Sequence, residues 1–141
     1  MGTPQRGFEH YGEPQIRQRL ERDEGVLMLS GIDDAQLNWI YEHSAFTVYP
    51  SVSEGWGFPV QESLAHGRVC VVSDTVPAAE ETLNAALRKL APDDYMGWVK
   101  TLSMLMQNDK QRLALQTHAE TWEQQSWEGA AQVIRSNDVR H

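Results

Sequence analysis

Residues 50–67 have the sequence PSVSEGWGFPVQESLAHG, in which a strand is expected to end, a turn with two glycines follows and a helix begins. Pro50 stops the preceding strand, and Pro59 suits the first position of the helix. Gly67 suits the position just after the last helical residue. Short apolar runs alternate with helical patterns on both sides of this segment. That alternation predicts an α/β domain with a parallel sheet flanked by helices.

The start of the predicted helix offers a place for an anion. Backbone N–H groups at a helix N-terminus lack partners, and the aligned peptide dipoles leave roughly +0.5 charge there. A phosphate group satisfies both needs if the backbone can approach it closely. Gly55 and Gly57 lack the side chains that would block this approach.

Two glutamates flank the turn, Glu54 before the helix and Glu62 about one turn into it. A carboxylate accepts hydrogen bonds from two hydroxyl groups at once, which suits adjacent hydroxyls of a ribose or hexose. Ligands of parallel α/β sheets bind beyond the carboxyl ends of the strands, and this turn follows a strand directly. The pattern predicts a site for a phosphorylated sugar. It is equally compatible with a tight turn that has one capping and one surface glutamate.

The remaining elements follow from apolar periodicity and capping residues. Strands are predicted over 26–29, 45–49 and 69–73. Helices are predicted over 13–22, from the capping box of Asp33 and Gln36 through Tyr41, from Asp93 or Asp94 to about Gln107, over 110–123, and from Trp127, which Ser126 caps. Residues 82–90 fit either a helix or a short strand near 87–90.

The composition bounds the possible functions. The 141 residues suit a single domain over 1–141. Lys and Arg total 12 against 20 Asp and Glu, and the formal charge of −8 disfavours binding to nucleic acid or to an anionic membrane surface. We find no apolar run of about 18 residues and no signal peptide in residues 1–6, so a cytoplasmic location is expected. Cys70 lies in an apolar run, which predicts a buried thiol.

Segment 50–67 resembles the signature of family 4 (group 1) glycosyltransferases, which are retaining enzymes of the two-domain GT-B architecture. The signature combines two glutamates separated by seven residues with a Gly-aromatic-Gly-x-Pro turn. Segments 30–41, 71–80 and 92–94 resemble further landmarks of the family in order and spacing. The resemblance extends over about residues 26–135. It implies a Rossmann-like sheet and the C-terminal domain that holds a nucleotide-diphospho-sugar donor.

The resemblance implies a role for each part of the motif. Glu54 is expected to contact the donor sugar near the reacting centre, as the catalytic residue, and Glu62 to bind the ribose hydroxyls. The backbone expected along the sugar and diphosphate is that of Gly55, Trp56, Gly57 and Phe58. The loop of Gly31 and Ile32 is expected near the base. Transfer in the family retains the anomeric configuration and generally needs no metal, so no cofactor is expected.

The sequence lacks several parts that members of the family have. Nothing corresponds to the N-terminal domain that binds the acceptor, or to the two strands and the Arg/Lys pair that open the donor domain. The family's sheet places those strands between the ones predicted over 26–29 and 45–49, so exposed strand edges are expected. The implied protein is a hexosyltransferase that is incomplete without a separate acceptor-binding domain, or that associates with itself through those edges. The alternatives are a non-catalytic nucleotide-sugar-binding or protein-interaction module, and a fold in which both glutamates are structural.

The remaining aromatic and histidine residues have simpler expectations. His66 ends the motif helix, where the helix dipole favours a histidine. Trp39 and Trp98 fall on or beside apolar helix faces and are expected in the core. Trp56 either covers the sugar or packs the turn. The histidines show no spacing typical of a metal site.

Overall fold

The computed structural model describes residues 25–122, together with Gln18 and Arg22. The chain divides into two units, Met1–Gln36 and Leu37–His141. The described strands are β1 (Thr47–Tyr49), β2 (Cys70–Ser73) and β3 (Leu87–Leu90). The described helices are α1 (Asp34–His43), α2 (Phe58–Ala65), α3 (Pro77–Glu81), α4 (Tyr95–Gln107) and α5 (Asp109–Glu120).

The three strands form one parallel sheet in the order β1-β2-β3. Thr47 pairs with Cys70, and Cys70 pairs with Leu87 on its other side. A parallel pair needs a crossover connection, which α2 supplies between β1 and β2 and α3 between β2 and β3. The predicted α/β class, with a parallel sheet flanked by helices, is confirmed.

The central strand β2 is buried along its whole length. Successive side chains of a strand point to opposite faces, and the apolar residues here divide accordingly. Cys70 and Val72 pack in one core cluster with residues of α3, whereas Val69 and Val71 pack in a second cluster with Leu105 of α4. Both faces of β2 are therefore covered, which explains its continuous apolar sequence. Cys70 is buried, as predicted.

Local capping signals place the helix ends correctly. The Asp33 backbone N–H donates to Oε1 of Gln36 at 2.9 Å, and the Gln36 N–H donates to Oδ1 of Asp33 at 2.8 Å, which is the predicted capping box. Asp94 caps α4 by accepting from the N–H of Gly97 at 2.9 Å. Gly67 follows the end of α2 with a φ of 67°, in the left-handed region that favours glycine.

The structure also decides the element type of one segment and the ends of several predicted strands and helices. Residues 87–90 form a strand, which decides between the two alternatives for that segment. The helix predicted over 110–123 is observed as α5, and β1 and β2 are shorter than predicted at their N-terminal ends. Pro59 occupies the second rather than the first position of α2, because Phe58 already has helical geometry.

The predicted strand over Val26–Leu29 is wrong. These residues have no regular secondary structure, and Leu27 is 80% exposed. Within the part of the chain that the structure describes, they belong to no sheet. An apolar run becomes a strand only where a neighbouring strand satisfies its backbone groups, and sequence pattern alone does not supply that neighbour.

Of the two tryptophans expected in the core, Trp98 is there and Trp39 is not. The Trp98 ring packs against the second core cluster, and its Nε1–H donates to the carbonyl of Ala91 at 2.9 Å. Trp39 is 59% exposed and stacks on His43 with 4.1 Å between ring centroids. Its placement in the core was wrong because α1 presents that position to solvent.

Strand β1 lies at the edge of the described sheet. The Thr47 N–H donates to the carbonyl of Val69 at 2.9 Å. Alternate residues of a parallel strand bond to the same neighbour, so the N–H and C=O of Val48 face away from β2. A cavity of about 270 Å³ lies between α1, β1 and α2, with Ile40 and Phe46 among the residues that line it.

Two predictions fall on parts of the chain that the structure does not describe. The helix predicted from Trp127 with Ser126 as its cap lies wholly outside the described residues, and the one over 13–22 does so apart from Gln18 and Arg22. Among the residues that are described, no helix is both long and apolar enough to cross a membrane.

Candidate functional site

The turn between β1 and α2 depends on Gly57 for its shape. Gly57 is buried and has φ 100° and ψ 53°, a left-handed conformation that L side chains rarely adopt. A Cβ atom at this position would overlap Cγ1 of Val76. Backbone geometry and packing already require a glycine at position 57 whatever the ligand, and its expected place along the sugar and diphosphate stays a prediction.

The fold does not require a glycine at position 55 in the way that it does at position 57. Its φ lies outside the left-handed region, and a Cβ atom built on it would meet no heavy atom within 4 Å. Neither the backbone nor a neighbour in the described chain demands a glycine there. What Gly55 does provide is open space beside the backbone, as the predicted approach of a ligand requires.

The turn presents backbone donors at the start of α2. Its shape is fixed by a hydrogen bond from the Ala78 N–H to the Trp56 carbonyl at 2.8 Å. Within the described part of the chain, the N–H groups of residues 55–58 donate no hydrogen bond to protein. They lie at the positive end of the helix dipole, where an anion would satisfy them.

Glu54 lies exposed on the turn between two hydroxyl groups. Its Oε1 accepts a hydrogen bond from the Ser51 hydroxyl at 2.8 Å. Hydrogen bonding to Tyr49, and then to Ser51, lowers the pKa of the Glu54 carboxyl below its ordinary value. Burial, followed by the hydrogen bond to Glu54, raises the pKa of Tyr49 from 10.0 to about 12. Glu54 is thus held as a carboxylate, an acceptor of hydrogen bonds.

Glu62 lies one turn into α2, as predicted, and is also exposed. Its Oε2 accepts a hydrogen bond from the Tyr41 hydroxyl at 3.0 Å. Burial, and then the hydrogen bond to Glu62, raises the pKa of Tyr41 above its ordinary value. The phenol therefore remains a donor over the whole neutral range.

The aromatic residues of the motif face different surroundings. Trp56 packs against the first core cluster, which supports the alternative that it packs the turn. Phe58, the first residue of α2, is 66% exposed. His66 occupies the end of α2, where its Nδ1 lies 2.8 Å from the Glu62 carbonyl oxygen. In the described residues, no group of three or more His, Cys, Asp or Glu side chains is arranged to hold a metal ion.

A family model for group 1 glycosyl transferases matches residues 12–122. The chain belongs to this family.

A comparison with curated proteins gives one more similarity. The group 1 glycosyltransferase described here is 31% identical, over 88 residues, to the O-antigen chain mannosyltransferase RfbU of Salmonella typhimurium. The match covers 62% of this chain and 25% of that protein, so the matched region spans about a quarter of the mannosyltransferase. No solved structure matches the chain significantly.

The roles implied for Gly31 and Ile32 in this glycosyltransferase stay predictions. Both residues belong to the unit Met1–Gln36, whereas the glycine turn belongs to the unit Leu37–His141. Gly31 has a φ of 66°, so a glycine suits its backbone whatever the ligand.

Three hydroxyl groups beside the two glutamates were not predicted as functional residues. Ser51 stands three residues before Glu54, a spacing at which a local hydrogen bond was a reasonable expectation. Tyr49, at the end of β1, is also close to Glu54 in sequence, but at a spacing that makes a local hydrogen bond less expected. Tyr41 stands 21 residues before Glu62, and no local pattern indicates their contact.

Proposed function

We propose that this chain binds a nucleotide-diphospho-sugar and takes part in transfer of the sugar with retention of its anomeric configuration. The observation that carries the proposal is that two exposed glutamates, Glu54 and Glu62, flank backbone N–H groups that have no hydrogen-bond partner among the described residues. Membership of the group 1 glycosyltransferases supports it. The resemblance of the motif to the GT-B donor site agrees with this observation and with the family membership.

Glu54 is proposed to contact the hydroxyls of the donor sugar and to act at the reacting centre. As the bond to the leaving group weakens, positive charge develops at the anomeric carbon, and a nearby carboxylate stabilises it. The lowered pKa of Glu54 keeps this carboxylate ionised. Ser51, bonded to Oε1 at 2.8 Å, limits the rotation of the side chain.

The leaving group in this proposal is a nucleoside diphosphate. Negative charge grows on its oxygens during transfer, and the N–H groups of residues 55–58 with the dipole of α2 stabilise it. Glu62 is proposed to bind the ribose hydroxyls of the same nucleotide. We expect protein groups to hold the diphosphate, without a metal ion.

Binding of the acceptor is proposed to require a further segment of protein. The mannosyltransferase that this chain resembles is about four times as long as the matched region, which leaves room in that protein for further domains. The open side of β1, with Val48 43% exposed, offers a strand edge for a separate acceptor-binding domain or for a second copy of the chain. A cytoplasmic location, where nucleotide sugars are available, fits this role.

Calorimetric titration of the chain with nucleoside diphosphates and their sugars tests the proposal. A nucleoside-diphospho-mannose is the first donor to try, because the similar protein is named a mannosyltransferase. Glu62→Ala should weaken binding by about tenfold or more, through loss of hydrogen bonds to a charged acceptor. Glu120→Ala removes the same charge from α5 and should leave the affinity unchanged. No binding by the unmodified chain would overturn the proposal.

A transfer assay separates the enzyme from the binding-module alternative. Retention is checked by following the anomeric configuration of the product by NMR. Glu54→Gln should reduce transfer by about a hundredfold, since it removes the charge at the reacting centre. Tight binding with no transfer, even after an acceptor-binding domain is added, would identify a non-catalytic nucleotide-sugar-binding module.

A further inference from the structure

Tyr41 holds the carboxylate of Glu62 from a different helix. The Tyr41 hydroxyl, on α1, donates to Oε2 of Glu62, on α2, at 3.0 Å. The tyrosine is itself fixed at several points. Its ring stacks on His66 with 4.9 Å between centroids and 16° between planes, and its backbone carbonyl accepts from Nε of Arg68 at 3.0 Å.

This arrangement affects what Glu62 can bind. An exposed glutamate has many rotamers, and a ligand that fixes it must offset the loss of that freedom. The Tyr41 hydrogen bond restricts the rotamers before the ligand arrives. A carboxylate has about four acceptor positions, of which the tyrosine occupies one, on Oε2. The remaining positions, including both on Oε1, stay open to two donors.

The chemistry of the donor matters as well. A lysine or arginine in place of Tyr41 would neutralise the carboxylate and compete with a ligand for both oxygens. The neutral phenol of Tyr41 leaves the full negative charge on Glu62. The residual acceptor set is a pair of adjacent lone pairs on a charged group, which matches the two hydroxyls of a vicinal diol.

We propose that Tyr41 is a positioning residue that presents Glu62 to the 2′- and 3′-hydroxyls of a ribose, and that it sets the preference of the site for ribonucleotides over 2′-deoxyribonucleotides. This inference rests on the proposed function. It deepens that function by naming the group that selects the sugar of the nucleotide.

The experiment is calorimetry on the full chain with uridine diphosphate, guanosine diphosphate and their 2′-deoxy analogues. The unmodified chain should bind the better ribonucleotide about tenfold more tightly than its 2′-deoxy form, because the deoxy form leaves an acceptor of Glu62 unpaired. Tyr41→Phe should weaken binding of the ribonucleotide by about tenfold and bring the ratio of the two affinities close to one.

Two matched variants control for loss of a phenol hydroxyl. Tyr49→Phe removes the hydroxyl beside Glu54 and should leave the ribose-to-deoxyribose ratio unchanged, even if overall affinity falls. Tyr95→Phe changes a tyrosine that is 76% exposed at the start of α4 and should have no effect. A merely structural role of Tyr41 would weaken both nucleotides equally and keep the ratio.

A double-mutant cycle gives a second measurement, and its Glu62→Ala arm, which should itself lose the preference for ribose, does not depend on the stability of Tyr41→Phe. In a Glu62→Ala background, Tyr41→Phe should have no further effect on the affinity ratio, since the carboxylate it positions is gone. This inference would be overturned if the unmodified chain binds nucleoside diphosphates without preferring ribose. It would also be overturned if the Tyr41→Phe variant prefers ribose as strongly as the unmodified chain does. Either result would leave the proposed function standing. A chain that binds none of the nucleotides overturns both.

Discussion

Gly57 and Val76 lie in direct contact, and a Cβ atom on the glycine would overlap Cγ1 of the valine. The turn that precedes α2 therefore owes its shape to a residue that immediately precedes α3. Because Gly57 also has a left-handed φ of 100°, two independent costs oppose any side chain there.

Replacing Gly57 should destabilise the whole fold. Gly57→Ala adds about 1–2 kcal/mol for the left-handed backbone and about 1–3 kcal/mol for overpacking against Val76. Thermal unfolding followed by circular dichroism should show a Tm lower by about 10 °C or more. Gly55→Ala is the matched control, because its Cβ atom meets nothing. Equal stability losses for the two variants would contradict this account.

Substitutions at Gly55 should affect the affinity for a ligand more than the stability of the fold. Gly55→Ala is expected to leave Tm within about 2–3 °C of the unmodified chain, which corresponds to a change of about 0.5 kcal/mol. A bulkier Gly55→Val should weaken nucleoside diphosphate binding by about tenfold or more, since the side chain fills the space beside the backbone donors. Unchanged affinity in calorimetry would show that no ligand approaches the turn at this point.

The carboxyl of Glu54 should titrate below its ordinary value of 4.5. A lowered pKa contributes stability that is present above the unfolded value and is lost as pH falls through the folded value. The Glu54 pKa can be followed by NMR of the side-chain carbon. Tyr49→Phe and Ser51→Ala should each move it back toward 4.5, the former by more. An unmoved pKa in both variants would show that the hydroxyls do not cause the shift.

Alkaline conditions should destabilise the protein through its phenols. Tyr49 titrates near 10.0 in the unfolded chain and at about 12 in the folded one, so stability is complete below pH 10 and falls as pH rises between these values. Tyr41 is shifted in the same direction. Urea unfolding measured from pH 9 to pH 11 should show a shallower loss of stability for Tyr49→Phe. The same slope in both proteins would exclude Tyr49 as a cause.

Association through the edge of β1 should depend on Val48. Its N–H faces away from β2, so Val48→Pro removes the donor that a docked strand would use and spares the pairing of Thr47 with β2. Sedimentation should show a concentration-dependent assembly for the unmodified chain and a monomer for the variant. Val48→Thr keeps the donor and should assemble normally. A monomer at every concentration would contradict self-association.

Features that depend on neighbours in sequence were predictable. The Asp33–Gln36 capping box, the cap at Asp94 and the end of α2 at Gly67 each involve residues within four positions, so local patterns suffice. The position of Glu62 one turn into α2 followed from the helix start alone. Family membership likewise follows from a motif that is contiguous in the chain.

Features that depend on distant parts of the chain were not predictable. Val26–Leu29 have the composition of a strand, but strand formation requires a partner that pattern does not specify. Trp39 shares its helix with apolar residues, yet the exact rotation of α1 decides its exposure. The Tyr41–Glu62 hydrogen bond joins two helices, and only the packed structure reveals it.

The hydrogen bond from Ala78 to Trp56 has a consequence for the order of events during synthesis. The ribosome releases the glycine turn and both glutamates before it releases α3. Until Ala78 emerges, the Trp56 carbonyl lacks the N–H group that bonds to it in the folded chain. The nascent chain thus contains every residue of the motif before α3 is available, and the glycine turn takes its folded shape only when α3 packs against it.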